Sequence, residues 1–339
     1  MWISAFLSGA PLYGDAVTQP GRINPSGRIN PSGRIRGRYA PSPTGDLHLG
    51  NLRTAVLAYL FAHSPLVAHS AGVGELLYRI EDLDTSRARP GIAERQRFEL
   101  ESLGLVFDPP LVVQSTRFAA YQTALDSLHG RTFECFCSRR EIAEAASAPH
   151  GSPGRYPGTC RDLTESQRAE RRRTRPPAIR LRSEPDPVTV VDLLHGEITG
   201  TPDDIVLRRN DGSPAYHLAV VVDDADSGVN QVVRGDDLLD SAISQAYLAR
   251  LLGRDVPTYA HVPLAVNAEG VRLAKRDGAV TLGDLARYGI GPDQVLSRIA
   301  ASLRLAEPGE QVDLATLLTR FDPARLPLTP WVVRGLPEE

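Results

Sequence analysis

Residues 37–51 read GRYAPSPTGDLHLGN, and the helical pattern LRTAVLAYLFAH follows without a break. GRYA has the character of a short strand and 41–47 that of a tight loop rich in Pro, Gly, Ser and Thr. Over 50–63, Leu52, Val56, Leu57, Leu60 and Phe61 fall on one helical face. A loop that leaves the end of a first strand and enters a helix N-terminus is where open α/β sheets bind nucleotides. Free backbone N–H groups and the helix dipole favour phosphate there. Gly45 and Gly50 let backbone approach a ligand closely. His48 can donate a hydrogen bond to a phosphate whose charge grows in a transition state. An ordinary surface turn with an exposed His is the competing reading, and the rest of the chain decides between them.

ELLYRIEDLD (75–84) reads as a buried strand ending in acids, and 91–103 and 117–129 read as helices. This βαβα order predicts a Rossmann-like, doubly wound parallel sheet. The pattern changes over 131–214, which holds all the cysteines, a Pro/Gly-rich loop (149–158), the basic run RAERRRTRPPAIRLR (168–182) and short strand-like pieces. These are the marks of an inserted α+β module. Strand-and-helix order returns with PAYHLAVVVDD (214–224), GVNQVVRGDD (228–237), a helix over about 238–252, and YAHVPLAVN (259–267). After GVRLAKRDGAVTL (270–282) the pattern is helical. Residues 21–38 contain a tandem GRINPS repeat that cannot bury a core. The expected organisation is a disordered leader (1–36), the first half of a catalytic core (37–130), the inserted module (131–214), the second half of the core (215–268), and a loop plus short helical C-terminal region (269–339).

Composition excludes more than it selects. The chain has 339 residues, 42% hydrophobic and 23% charged, with a formal net charge of −3. That is the make-up of a globular protein, and positive surface for a nucleic acid must be local. Apolar runs such as LAVVV (218–222) are too short to span a membrane. No basic residue precedes Arg22, so the first residues fit a secretory signal poorly, and an odd count of three cysteines argues against a disulfide framework. A reducing cytoplasm is the expected compartment. Cys135, Cys137 and Cys160 lie within one short window. Zinc favours four tetrahedral ligands rich in thiolate, so a metal site is the expectation, with a fourth ligand to be found and His150 a chemically usual candidate. Three buried thiols without metal are the alternative. The run RRRTRPPAIRLR reads either as a solvated charged face or as a contact for RNA phosphates.

Five blocks in order, RYAPSPTGDLHLGN, YRIEDLDTSR, AYHLAVVVDD, VVRGDDLLDS and RLAKR, resemble the class I aminoacyl-tRNA synthetases in their glutamate-specific form. The resemblance spans about 38–290 and is closest to the glutamyl-queuosine tRNA(Asp) synthetases, short relatives of glutamyl-tRNA synthetase. Two positions depart from the general pattern. Asn51 stands where a second His is usual, and RLAKR replaces Lys-Met-Ser-Lys-Ser, with Arg272 at its first position and Lys275 at the catalytic fourth. Ala274 and Arg276 replace both serines, which removes hydroxyl contacts but not the cationic clamp.

The resemblance implies ATP-dependent activation of L-glutamate without tRNA, then its transfer to queuosine at the first anticodon position of tRNA(Asp). It implies His48 and Lys275 as catalytic, with Gly50 and Asn51 beside them at the ATP, and Mg²⁺ arriving with the nucleotide. Arg38, Tyr39, Ala40, Pro41, Ser42, Glu81, Tyr216 and Arg234 would line the glutamate pocket, the last two from later strands whose ends converge on one crevice. For Arg38, Glu81 and Arg234 a structural salt bridge is the competing role. The resemblance also implies one structural zinc ion, with Tyr156 as the fourth ligand. About fifty residues follow the RLAKR block and its neighbouring helix, too few for an anticodon-reading domain, so the anticodon is expected in the active site of a monomer. A truncated glutamyl-tRNA synthetase charging tRNA(Glu), a core that adenylates another small carboxylic acid, and a non-catalytic RNA- or nucleotide-binding paralogue are the alternatives.

Overall fold

The computed structural model describes residues 34–67, 74–146, 155–273 and 280–333. The first half of the sheet is β1 (Arg36–Tyr39), α1 (Leu49–His63), β2 (Glu75–Ile80), α2 (Ile92–Ser102), β3 (Asp108–Val113) and α3 (Phe118–Ser127). β1 pairs in parallel with β2, and β2 with β3. The apolar face read in α1 is buried, but so are Arg53, Ala55, Ala58 and Ala62, so the helix is enclosed rather than amphipathic. The sheet covers one side and C-terminal elements cover the other: the Phe61 and Phe321 rings meet edge to face at 5.1 Å. Each large side chain buried there contributes about 1.5–3 kcal/mol, which pins the loop before α1 to the most enclosed helix of the core.

β4 (Thr132–Cys135), α4 (Arg139–Ala146), α5 (Glu165–Arg172) and β5 (Ala178–Leu181) follow, then β6 (Val188–Asp192), β7 (Gly196–Gly200) and β8 (Val206–Arg208). β4, β5 and β8 form an antiparallel sheet with its own small core of Phe133, Cys135, Phe136, Tyr156 and Cys160. The expectation that everything from 131 to 214 stands apart is corrected for 188–200. β6 pairs in parallel with β10 and carries β7 with it, so both strands extend the main sheet. Short strands do not announce which sheet they join, because any edge offers them the same backbone donors and acceptors.

The second half comprises α6 (Tyr216–Asp226), β9 (Gln231–Gly235), α7 (Leu239–Leu251), β10 (Thr258–Val262), β11 (Ala265–Val266), α8 (Leu282–Ala286), α9 (Pro292–Ser302), α10 (Leu314–Arg320) and β12 (Trp331–Val332). β10 pairs in parallel with β9 as well as with β6. β1 lies beside β9: the Asn230 N–H donates to the Arg36 carbonyl at 3.0 Å. Strands therefore run β3-β2-β1 to one side and β9-β10-β6-β7 to the other. The order of strand addition reverses between β1 and β9, the place where such sheets open a crevice for a ligand.

Three further expectations are corrected. Tyr216 was expected in a strand, but 216–226 is helix α6, with Tyr216 as its first residue. Leu218 to Val222 are all buried, and a continuous apolar run has the same pattern in a buried strand and a buried helix. The leader was expected to end at 36, but Arg36 belongs to β1 and pairs with Glu75 at 2.5 Å; residues 1–33 lie outside the described residues. The C-terminal region is not helical throughout, since β12 pairs with β11.

Candidate active site

Arg38, near the end of β1, is 5% exposed. Its Nε donates to Asp224 Oδ1 at 3.3 Å, and its Nη1 to the Val233 carbonyl at 3.2 Å. Asp224 also accepts from Arg79 Nη1 at 2.5 Å, and Arg79 Nη2 donates to Glu81 Oε1 at 3.1 Å. These four residues alternate in charge from β1 through α6 to β2. Burial is the strongest single influence on the Asp224 carboxyl and pushes it up, but the Arg79 and Arg38 guanidiniums together hold it below the usual range. For Glu81 burial outweighs the same two guanidiniums, and its carboxyl is raised. Burial raises the carboxyls of Glu99 and Asp236 as well, but Glu81 is the one of these three that adjoins the Arg38–Asp224–Arg79 chain. Salt bridging, the competing role for Arg38 and Glu81, is thus present at both.

The loop between β1 and α1 is held by α2. Gln96 Nε2 donates to the carbonyls of Ser42 and Gly45 at 3.1 and 2.6 Å, and Glu99 accepts from the Leu47 N–H at 3.3 Å. The Pro41 carbonyl accepts from the Glu81 N–H at 3.1 Å. Pro41 is buried, Ala40 partly so, and Ser42 exposed. Tyr39 is buried and its hydroxyl donates to the Asn51 carbonyl at 3.1 Å.

His48 caps α1 through a reciprocal box. Its Nδ1 accepts from the Asn51 N–H, and Asn51 Oδ1 accepts from the His48 N–H, each at 3.3 Å. An accepting Nδ1 carries no proton, so in the neutral ring the proton sits on Nε2. A Cβ at Gly50 would stand 3.0 Å from both Ala265 Cβ and His48 Cε1, so a side chain there would press on the capping ring. Lys275 lies outside the described residues. The residues flanking its segment are anchored beside the same helix end: Leu273 N–H donates to the Ala265 carbonyl at 3.1 Å, and the Val280 carbonyl accepts from the Leu49 N–H at 3.0 Å. Lys275 is the chain's single lysine among 38 Lys and Arg residues.

Arg234 on β9 is 5% exposed and follows Val233, whose carbonyl Arg38 holds. Its partners are His261 Nε2 at 3.0 Å, Gln245 Oε1 at 2.7 Å and the Leu238 carbonyl at 3.2 Å. Unlike Arg38, it forms no salt bridge among the described residues, so the competing role is not found for it there. Tyr216, at the start of α6, is 37% exposed.

The three cysteine Sγ atoms lie within 4.8 Å of one another. Cys137 and Cys160 are 3.5 Å apart, and Tyr156 Oη stands 3.4 Å from Cys135 Sγ and 3.8 Å from Cys137 Sγ. A tetrahedral zinc with bonds of 2.3 Å spaces its sulfurs about 3.8 Å apart, so the donor set has the right size and softness for that ion. Burial and the neighbouring thiols push Cys137 up to about 12. Burial also pushes at Cys160, but the Phe136 N–H, Tyr156 and Arg171 outweigh it and leave that thiol lowered. His150 lies outside the described residues. The basic run is neither simply a solvated face nor an open row of cations. Arg171 Nη1 donates to Cys160 Sγ at 3.6 Å, Arg172 binds Glu134 and Glu165, Arg175 caps the Phe136 carbonyl at 2.6 Å, and Arg180 stacks 3.9 Å above the Tyr156 ring.

Sequence reading missed Arg79, Gln96, Glu99, Asp192, Asp224, Gln245 and His261. A signal existed for two: Arg79 and Asp224 interrupt or end strongly apolar runs, and a buried charge needs a partner. For the others nothing local distinguishes them from ordinary helix and strand residues.

The reversal of strand order between β1 and β9, the capped N-terminus of α1 and the buried guanidiniums of Arg38 and Arg234 are the features of a doubly wound α/β core. Residues 34–303 match the catalytic domain of the tRNA synthetases class I (E and Q), and the chain belongs to that family. A Nocardia farcinica protein named glutamyl-Q tRNA(Asp) synthetase is 57% identical over 301 residues, which cover 88% of this chain and 92% of that protein. A Cutibacterium acnes protein of the same name is 50% identical, over 82% of this chain and 78% of its own. A crystal structure of a glutamate tRNA ligase from Elizabethkingia meningosepticum in complex with its amino acid superposes with a TM-score of 0.71 at 28% identity, covering 89% of this chain and 67% of that one. No helix among the described residues is long and apolar enough to cross a membrane.

Proposed function

We propose that this chain activates L-glutamate with ATP and transfers it to the queuosine base of tRNA(Asp), as the names of its relatives indicate. In the first step a glutamate α-carboxylate oxygen attacks the α-phosphorus of ATP. The bond to the bridging oxygen breaks and pyrophosphate leaves. In the second, a hydroxyl of the queuosine cyclopentene diol attacks the acyl carbon, loses its proton, and AMP departs. Two anions must be brought together, so the protein's work is positioning and neutralisation. The observation that carries this reading is the pair of buried guanidiniums on neighbouring strands, Arg38 and Arg234, of which Arg234 forms no salt bridge among the described residues.

In this reading Arg38 and Arg234 hold carboxylate, Glu81 faces the ammonium group, and Tyr39, Ala40, Pro41, Ser42 and Tyr216 line the pocket. His48, with its proton on Nε2, donates to phosphate at the turn formed by Gly50 and Asn51. Lys275 neutralises the leaving pyrophosphate, and Mg²⁺ accompanies the nucleotide. Cys135, Cys137, Tyr156 and Cys160 would hold one zinc ion that ties the small sheet together and takes no part in the reaction. A reaction that draws on ATP and tRNA is expected in the cytoplasm.

The experiment supplies labelled glutamate and ATP to tRNA with and without queuosine and maps the labelled nucleotide. Label is expected at the wobble queuosine of tRNA(Asp) and nowhere on queuosine-free tRNA. Label at the 3′ end of tRNA(Glu) would replace this reading with that of a glutamyl-tRNA synthetase.

A further inference from the structure

Arg234 is a buried cation held entirely by neutral acceptors, and one of these acceptors is a histidine. His261 is fully buried on β10, between β9 and β6. Its Nδ1 lies 2.6 Å from Asp192 Oδ2, and its backbone N–H donates to the same oxygen at 3.0 Å. Asp192 in turn accepts from the backbone N–H groups of Leu194 and His195 through Oδ1, at 2.9 and 3.0 Å. An ionised carboxylate only accepts and a guanidinium only donates. Both neighbours therefore demand one tautomer: proton on Nδ1, lone pair on Nε2, aimed at Arg234 Nε.

We propose that His261, fixed in this tautomer by Asp192, is a positioning residue for glutamate recognition through Arg234. The inference rests on the reading of Arg234 as a glutamate ligand. A guanidinium has five N–H groups. The three acceptors take one on Nε and one on each terminal nitrogen, leaving one N–H on each terminal nitrogen for the two oxygens of a carboxylate. The choice of a histidine also has a reason in charge. A carboxylate in its place would pair with Arg234 and cancel the attraction that an anionic ligand must find. An imidazole lone pair orients the guanidinium without adding a negative charge at hydrogen-bond distance. Asp192, set one ring further away, supplies the tautomer without becoming an ion-pair partner of Arg234. Tyr259 completes the cradle: its ring lies 5.2 Å from the Arg234 guanidinium and stacks with the His261 ring at 5.6 Å.

The test is glutamate-dependent pyrophosphate exchange with three variants. His261→Leu removes the acceptor, His261→Gln offers an amide oxygen to Arg234 and an amide N–H to Asp192, and Arg234→Ala removes the residue being positioned. His261→Leu is expected to raise KM for glutamate roughly 10- to 100-fold, as for a buried donor left unpaired, with KM for ATP changed less than about 3-fold. His261→Gln is expected to recover most of the loss. Equal rises in both KM values, or a Gln variant no better than Leu, would overturn the proposal in favour of plain packing. If Arg234→Ala leaves KM for glutamate unchanged, the reading of Arg234 fails and this inference with it. If Arg234→Ala raises it and His261→Leu does not, only the inference fails. Nitrogen-15 NMR of the unaltered chain gives a reading that needs no variant to fold: a bare Nε2 and protonated Nδ1 at His261 are expected, and a protonated Nε2 would overturn the assignment.

Discussion

Arg38 and Arg234 are both buried guanidiniums, and their surroundings differ in charge. Arg38 shares Asp224 with Arg79, whereas Arg234 meets only neutral acceptors among the described residues. Both present donors only. Each can meet the two oxygens of a glutamate carboxylate, but against the amide NH₂ of glutamine one donor faces another. A site built this way rejects glutamine because the wrong ligand leaves a buried charge unpaired. Aspartate is expected to fail differently, by falling one methylene short. Arg38→Ala is expected to weaken glutamate activation far more than ATP binding and to erode the preference over glutamine, read from exchange kinetics with the three amino acids. A variant that keeps the wild-type ratio of glutamate to glutamine would transfer the reader's role to Arg234. Arg38 was legible as a candidate because it stands in a recognisable block. Asp224 also ends a recognisable block, but its pairing with Arg38 was not legible, because the two are 186 residues apart and only the fold brings them within 3.3 Å.

At the scale of elements, the cysteine-bearing sheet is a small unit with little core, and its arginines make up part of the deficit. Arg171 approaches Cys160, Arg180 covers Tyr156, and Arg182 lies 5.3 Å from the Phe133 ring centre. Guanidinium planes over aromatic faces add to packing where aliphatic side chains are few. A metal held by Cys135, Cys137, Tyr156 and Cys160 would join β4 to the segment before α5. Purified protein is expected to carry about one zinc per chain, and Cys160→Ser to lose it and loosen the small sheet, measured by metal analysis and by hydrogen exchange over 131–182. Zinc-free protein with three freely titrating thiols would remove the claim. The helical N-terminus of α1 teaches a related lesson. His48 and Asn51 were expected at the nucleotide, and the fold uses both to cap the helix. The two roles are compatible, because the cap occupies Nδ1 and sets the proton on Nε2.

For the molecule as a whole, the strands of both halves meet between β1 and β9, and the residues assigned to the reaction come from both sides of that seam. The flanks of the Lys275 segment are tied to the N-terminus of α1 and to β11. Activation as proposed joins glutamate and ATP alone. Glutamate-dependent exchange of pyrophosphate into ATP is therefore expected in the absence of tRNA, and Lys275→Ala is expected to slow it by roughly 10²–10³, the usual loss of one transition-state electrostatic partner. Because Lys275 is the single lysine, reductive labelling of amines in the unaltered chain should modify this side chain and the N-terminus alone, and ATP should protect it. Exchange that appears only when tRNA is added would count against tRNA-free activation.

The sequence by itself determined the parallel core, the loop that enters α1, and the cysteine cluster, since each depends on residues close together in the chain. A 3.6-residue apolar period, a Pro/Gly loop before a helix and three nearby thiols are local physical signals. Tertiary structure alone decided that residues 216–226 form a helix, because an apolar run buried on every side has no period to read. It alone sent β6 and β7 to the main sheet, and with β6 it brought Asp192 to His261 across 69 residues. Hydrogen bonds between distant strands leave no trace in either segment's own pattern. The partners of Arg234 were therefore invisible until β6, β10 and β9 were set side by side.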